Sequence, residues 1–185
     1  MVATLIWVAI ALIIIIAITF FSYYNRFVTL GAQIDNALAQ ISVQLRKRSD
    51  LIPNLLASVK GYMKHEKGII KEVTDARKAL VGAEGVEAKM KAGNKLQSAL
   101  KSIFAIAEGY PDLKANTNFL HLQQELSAIE DKVAYARQFY NDGIMSYSVT
   151  ISTIPGKWFA KMFGFKTREY LKIPEAAKAV PKVEF

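Results

Sequence analysis

The first twenty-five residues, MVATLIWVAIALIIIIAITFFSYYN, carry no charged side chain; Arg26 is the first. A helix over roughly 22 of them is about 33 Å long, enough to cross a hydrocarbon core of about 30 Å. Tyr23 and Tyr24 close the run where an aromatic belt belongs. A cleaved signal peptide would instead have a basic leader and a shorter apolar stretch of about 7–15 residues. No Lys or Arg precedes this run, and with no Cys in the chain a lipid-modified cysteine anchor is excluded. The expectation is an uncleaved transmembrane helix over residues 1–24. No later run reaches the roughly 18 apolar residues of a second span, so a single-pass chain is expected.

Orientation follows from the flanks. Basic side chains lie only on the C-terminal side, at Arg26 and further out at Arg46, Lys47 and Arg48. The positive-inside rule then places the N-terminus outside and the large domain in the cytoplasm. The net charge of +8 lies entirely beyond the apolar run, and Gly156 to Phe185 alone holds seven bases against three acids. For a tethered domain, the nearest anionic partner is lipid.

Beyond residue 25 the apolar side chains keep a helical period. The first set is Phe27, Leu30, Ile34, Leu38, Ile41 and Leu45; the second runs from Ile52 to Leu80. A third spans Val86 to Ala107, and a fourth, the most regular, runs from Phe119 through Leu126, Val133, Tyr140 and Tyr147 to Ile151. Each set forms one apolar stripe on a helix face. The breaks carry stop and start signals: VGAEG at 81–85, Gly109 as an αL cap with Pro111 beyond it, Asn116, Thr117 and Asn118 as N-caps, and Pro155-Gly156 as a terminator. No segment alternates long enough for a sheet. Four helices with short connections give an all-α, up-and-down antiparallel four-helix bundle preceded by one N-terminal transmembrane helix. The expected divisions are 1–24 for the span, 25–153 for the bundle and 154–185 for a basic aromatic tail. With no Gly/Ser linker between them, the span can run straight into the first bundle helix.

The stretch RKRSDLIPNLL at 46–56 is the awkward one. Read as a turn, its cations meet the negative end of one helix and Asp50 caps the next, with Pro53 at an early position that lacks an intrahelical acceptor. Read as continuous helix, Pro53 introduces a kink. The tight turn is the expectation.

Three segments resemble the LemA family of bacterial membrane proteins: YNRFVTLGAQIDNALAQISVQLRKRSDLIPNLLASVKGYMKHE (24–66), YPDLKANTNFLHLQQELS (110–127) and ARQFYNDGIMSYSVTISTIPGKWFAKMFGFK (136–166). The resemblance implies a short outside N-terminal segment, one span, a largely helical domain and a bacterial cell-membrane location. It brings no catalytic activity and no catalytic residues. Some relatives are linked to building intracellular membrane compartments, others to surface or envelope processes.

The residues themselves offer little catalytic chemistry. There is no phosphate-binding glycine loop, no G-x-S-x-G and no dinucleotide fingerprint. His65 and Glu66, with His121 and carboxylates such as Glu125, are the material for an alternative reading as a metal-dependent enzyme or regulator, but H-E-x-x-H spacing is absent. Asp35 and Asn36 fall near Arg137 and Asn141 if the first and last helices are antiparallel neighbours; a register-fixing polar contact is the expectation there. The bases are too scattered for a nucleic-acid surface. The leading reading is a non-enzymatic, membrane-anchored scaffold or membrane-organising protein without cofactor. Its expected partners are the bilayer, a second copy and other proteins, with nucleic acid excluded.

An up-and-down bundle returns the end of its last helix to the membrane side. PGKWFAKMFGFK follows there, placing Trp158, Phe159, Met162, Phe163 and Phe165 among Lys157, Lys161 and Lys166. Rings and lysines of this kind suit the headgroup layer, at about 1 kcal/mol per lysine on anionic lipid. The same rings could instead plug the open end of the bundle. Both readings stand at this point.

Overall fold

The computed structural model describes residues 1–171. Among them the elements are α1 (Val2–Lys60), α2 (Lys67–Val81), α3 (Val86–Ala107), α4 (Pro111–Lys114), α5 (Thr117–Ser152) and α6 (Gly156–Phe163), with no strand. The tail expected at 154–185 is described only to Leu171; the remainder lies outside the described residues. Contacts divide the chain into two compact units, Met1–Ala37 with Gln138–Tyr170, and Leu38–Arg137 with Leu171. Both α1 and α5 contribute to each.

α1 runs without interruption from the apolar segment into the bundle, across the boundary expected at residue 24. It also runs through 46–56, so the tight turn with Asp50 as cap does not form. The reason lies in the stripe. Its buried positions continue through Leu45, Ile52, Leu55 and Val59, with Arg48 and Ser49 filling the places between. A cation on a core position looks like an interruption in the sequence, yet here it is a buried member of the stripe. Pro53 lies inside the helix and supplies no N–H to the carbonyl of Ser49, four residues back. Arg77 of α2 replaces that donor, its Nε lying 2.9 Å from the Ser49 carbonyl oxygen. The true break comes later, at 61–66, and divides the second apolar set between α1 and α2.

The unit containing Leu38–Arg137 is an up-and-down four-helix bundle of α1, α2, α3 and α5. At one end the 61–66 and 108–116 connections meet: the Tyr110 hydroxyl donates to Glu66 at 3.2 Å, and Asn116 Nδ2 to the Tyr62 hydroxyl at 3.4 Å. Met63 and Leu113 are fully buried there. Asn116 caps α5, its Oδ1 accepting the Phe119 N–H at 3.1 Å. Gly109 does not take the expected left-handed conformation; among the described residues only Gly85 and Gly164 have positive φ. α3 instead closes with tight turn bonds from Glu108, Gly109 and Tyr110 N–H to the carbonyls of Ala105, Ile106 and Ala107.

Candidate functional site

In the unit formed by Met1–Ala37 and Gln138–Tyr170, α5 ends at Ser152 and the chain turns at once into α6. Gly156 makes that turn possible: a Cβ there would lie 2.0 Å from the Thr150 carbonyl oxygen. α6 has two faces. On the inner one Gly156 and Ala160 are buried and Phe159 and Phe163 half-buried. Phe159 stacks on Tyr23 at 5.4 Å between centroids; Phe163 meets Phe20 at 4.9 Å and Tyr24 at 5.1 Å. On the outer face Trp158 is 64% exposed and Met162 59%, with Lys157 and Lys161 beside them. Of the eight residues expected to form an interface, Phe159, Phe163 and Phe165 therefore pack on α1, while Trp158, Met162, Lys157, Lys161 and Lys166 face outward. One side of this short helix packs on α1 and the other is open. Their level is set by Phe20 to Phe27, which straddle the end of the uncharged run of α1.

Gly164 closes α6 in the left-handed conformation, φ +73°, as the Phe165 N–H reaches the Ala160 carbonyl at 3.0 Å. The chain then continues as a non-helical strap along α1 and α5. Phe165 lies 4.9 Å from the buried Phe27 ring. Arg168 reaches over the Tyr147 ring at 5.8 Å and donates to Asp35. The Glu169 carbonyl accepts the Tyr140 hydroxyl at 2.9 Å. Burial raises the pKa of both phenols, and the nearby Arg168 charge opposes that rise. Its hydrogen bond to Asp35 raises the pKa of Arg168 itself.

The other unit holds a second polar arrangement. Arg48 is buried and pairs with Glu130 of α5; its Nη1 also lies 3.5 Å from the Gly93 carbonyl of α3. A Cβ at Gly93 would meet the end of the Leu45 side chain at 2.7 Å, so Leu45 packs directly over this glycine. Arg137 donates to Asn94 Oδ1 at 3.1 Å. Burial lowers the pKa of Arg48 and of Arg137, and Glu130 opposes the shift in each. Arg48 stays a cation at any ordinary pH. This is the register-fixing kind of contact that the sequence leads one to expect, built from other residues. Asp35 takes its hydrogen bond from Arg168 and Arg137 gives one to Asn94, while Asn36 is exposed and Asn141 half-buried. The Arg48–Glu130 pair went unseen because Arg48 sits among three cations that read as a solvated helix end. Its signal was positional, since Leu45, Arg48, Ile52 and Leu55 share one face.

His65 is exposed, and Glu66 accepts from Tyr110. His121 Nε2 lies 4.0 Å from Glu125 Oε1 one turn along the same exposed face. Among the described residues, no group of three or more His, Asp or Glu is placed to hold a metal ion.

The LemA family model matches residues 37–185, most of the chain. The chain belongs to the LemA family. Among curated relatives it is 27% identical to the magnetosome protein MamQ of Magnetospirillum gryphiswaldense, over 80% of this chain and 64% of that protein. It is 24% identical to the magnetosome proteins MamQ 1 and MamQ 2 of Paramagnetospirillum magneticum, with the same coverage. The chain thus spans under two thirds of the length of these relatives. Among the described residues one helix, α1, is long and apolar enough to cross a membrane, and its apolar segment is wholly exposed. Family membership and this helix mark a membrane-associated helical LemA protein.

Proposed function

We propose that this LemA protein is a non-enzymatic, single-pass protein of a bacterial cell membrane. Its helical domain works by contact, as an interaction scaffold or membrane-organising element, and α6 rests in the headgroup layer. One observation carries the reading: α6 is docked by phenylalanines at the level where the uncharged part of α1 ends, and its free face offers Trp158 and Met162 beside Lys157 and Lys161. Rings at the acyl boundary and lysines at the phosphates are the arrangement an interfacial helix requires. The likeness to magnetosome proteins supports a bacterial membrane setting. The basic side chains after the span support a cytoplasmic domain and an outside N-terminus.

The absence of cysteine makes the test clean. Single cysteines are introduced at Ile13, Trp158 and Lys95, and intact cells are treated with a membrane-impermeant maleimide. Position 13 should stay unlabelled throughout, and position 95 should label only after the membrane is opened. Labelling at position 158 should be slower than at 95. Ready labelling of position 13 in intact cells would contradict the span, and labelling of 95 in intact cells would reverse the orientation. Stoichiometric zinc or iron in the purified protein would contradict the non-enzymatic reading.

A further inference from the structure

The RKR run at 46–48 divides its labour. Arg48 is turned into the core, whereas Arg46 lines a cleft of about 560 Å³ between α1, α2 and α3. Arg77 and Lys89 line it from the facing helices, and Asp50 is the single carboxylate on its wall. Three cations against one acid in one concavity repel each other, and a bound anion would relieve that repulsion. Among the described residues neither Arg46 nor Lys89 is in an ion pair. Arg77 spends one N–H on the Ser49 carbonyl, leaving most of its five donors for other use. Ser42 and Ser49 add hydroxyls, and that of Ser49 is buried without a hydrogen-bond partner. The remaining wall is apolar, with Leu45, Leu80 and Val81. The volume falls in the range of about 300–1,000 Å³ typical of small-molecule sites.

We infer that this cleft binds a phosphate monoester carried on an apolar body. Guanidinium groups match phosphate oxygens in paired geometry, and lysine adds a point charge. The apolar wall accounts for the second half of the ligand. Neither feature depends on how the chain is anchored, so this inference stands or falls separately from the membrane reading.

The test uses the full-length protein in nonionic detergent, titrated calorimetrically with phenyl phosphate, inorganic phosphate and phenol. Phenyl phosphate should bind saturably, inorganic phosphate about 10-fold more weakly, and phenol without measurable affinity. Arg46→Gln with Lys89→Gln should weaken phenyl phosphate by about 10-fold or more, since two charge contacts are lost. Both residues line the cleft from outside the core, so the fold is retained, which helical circular dichroism checks. Lys47→Gln, outside the cleft, should change binding by less than about 2-fold. No saturable phenyl phosphate binding, unchanged binding in the double variant, or an equal loss in Lys47→Gln would overturn the inference. Phosphatidylcholine nanodiscs with and without phosphatidic acid distinguish the source of the phosphate. Competition by the phosphatidic acid discs alone identifies a lipid headgroup, and an unaffected phenyl phosphate titration identifies a free ester.

Discussion

The two compact units solve the same problem with different materials. In the bundle unit, four helices enclose a largely aliphatic interior with one aromatic pair, Phe104 and Phe119, and polarity enters as the buried Arg48–Glu130 pair and the arginine that serves the Ser49 carbonyl. In the other unit only α1, α5 and short α6 are helical, and the enclosure is completed by rings and a strap held at Arg168 and Glu169. Its outer surface remains apolar at Trp158, Met162 and along residues 2–18. A helical interior sealed on all sides is what a domain in water requires. Rings outside, with lysines between them, belong to a boundary between water and lipid. On the proposed reading, one unit supplies stability and the other placement at the membrane.

The largest effect should come from the ionic contact. Glu130→Ala leaves a buried guanidinium without its partner and should cost about 3 kcal/mol in denaturant unfolding, at the low end because Glu130 is partly exposed. Replacing both partners, as Arg48→Met with Glu130→Leu, should restore stability to within about 1 kcal/mol of the natural chain. A double variant as weak as Glu130→Ala would show that the pair is not the term that matters. Next comes Gly156→Ala, which forces a Cβ onto the Thr150 carbonyl. It should cost about 1–3 kcal/mol by overpacking and raise the mobility of Trp158 in fluorescence anisotropy. Unchanged anisotropy would mean that α6 does not depend on this turn.

Arg77→Ala removes the substitute donor at Ser49 and should cost about 1–2 kcal/mol. In a Pro53→Ala background the backbone N–H returns, and the same change should cost clearly less; additive costs would contradict the proposed substitution. The smallest effect belongs to the strap. Arg168→Ala and Asp35→Ala should each shift stability by no more than about 1 kcal/mol, because the pair is exposed to solvent. A double-mutant cycle showing a larger coupling would give the strap a structural role equal to that of the bundle contact.

Much of this was legible in the residues. The apolar run, the first, third and fourth stripes, the Asn116 cap and the Pro155-Gly156 terminator correspond to structure, because each is a local signal with a local physical cause, whereas the second stripe is divided between α1 and α2. The failure at 46–56 has a different origin. Whether a helix survives Pro53 depends on a donor that comes from α2, and whether Arg48 belongs in the core depends on Glu130 of α5. Neither partner is within reach of a periodicity argument. The two faces of α6 were hidden for a similar reason. Spacing showed rings and lysines together, but only the placement of Phe20, Tyr23 and Tyr24 separates Phe159 and Phe163 from Trp158 and Met162.

The claim that one unit meets lipid is tested most directly at Trp158. Trp7 is the only other tryptophan; in a Trp7→Phe protein reconstituted in nanodiscs, Trp158 reports alone. Lipids brominated near the headgroup end of the acyl chain should quench its fluorescence more than lipids brominated near the terminal methyl, and its emission should lie to the blue of tryptophan in water. Emission like that of free tryptophan, unquenched by either lipid, would place α6 in water and contradict the account.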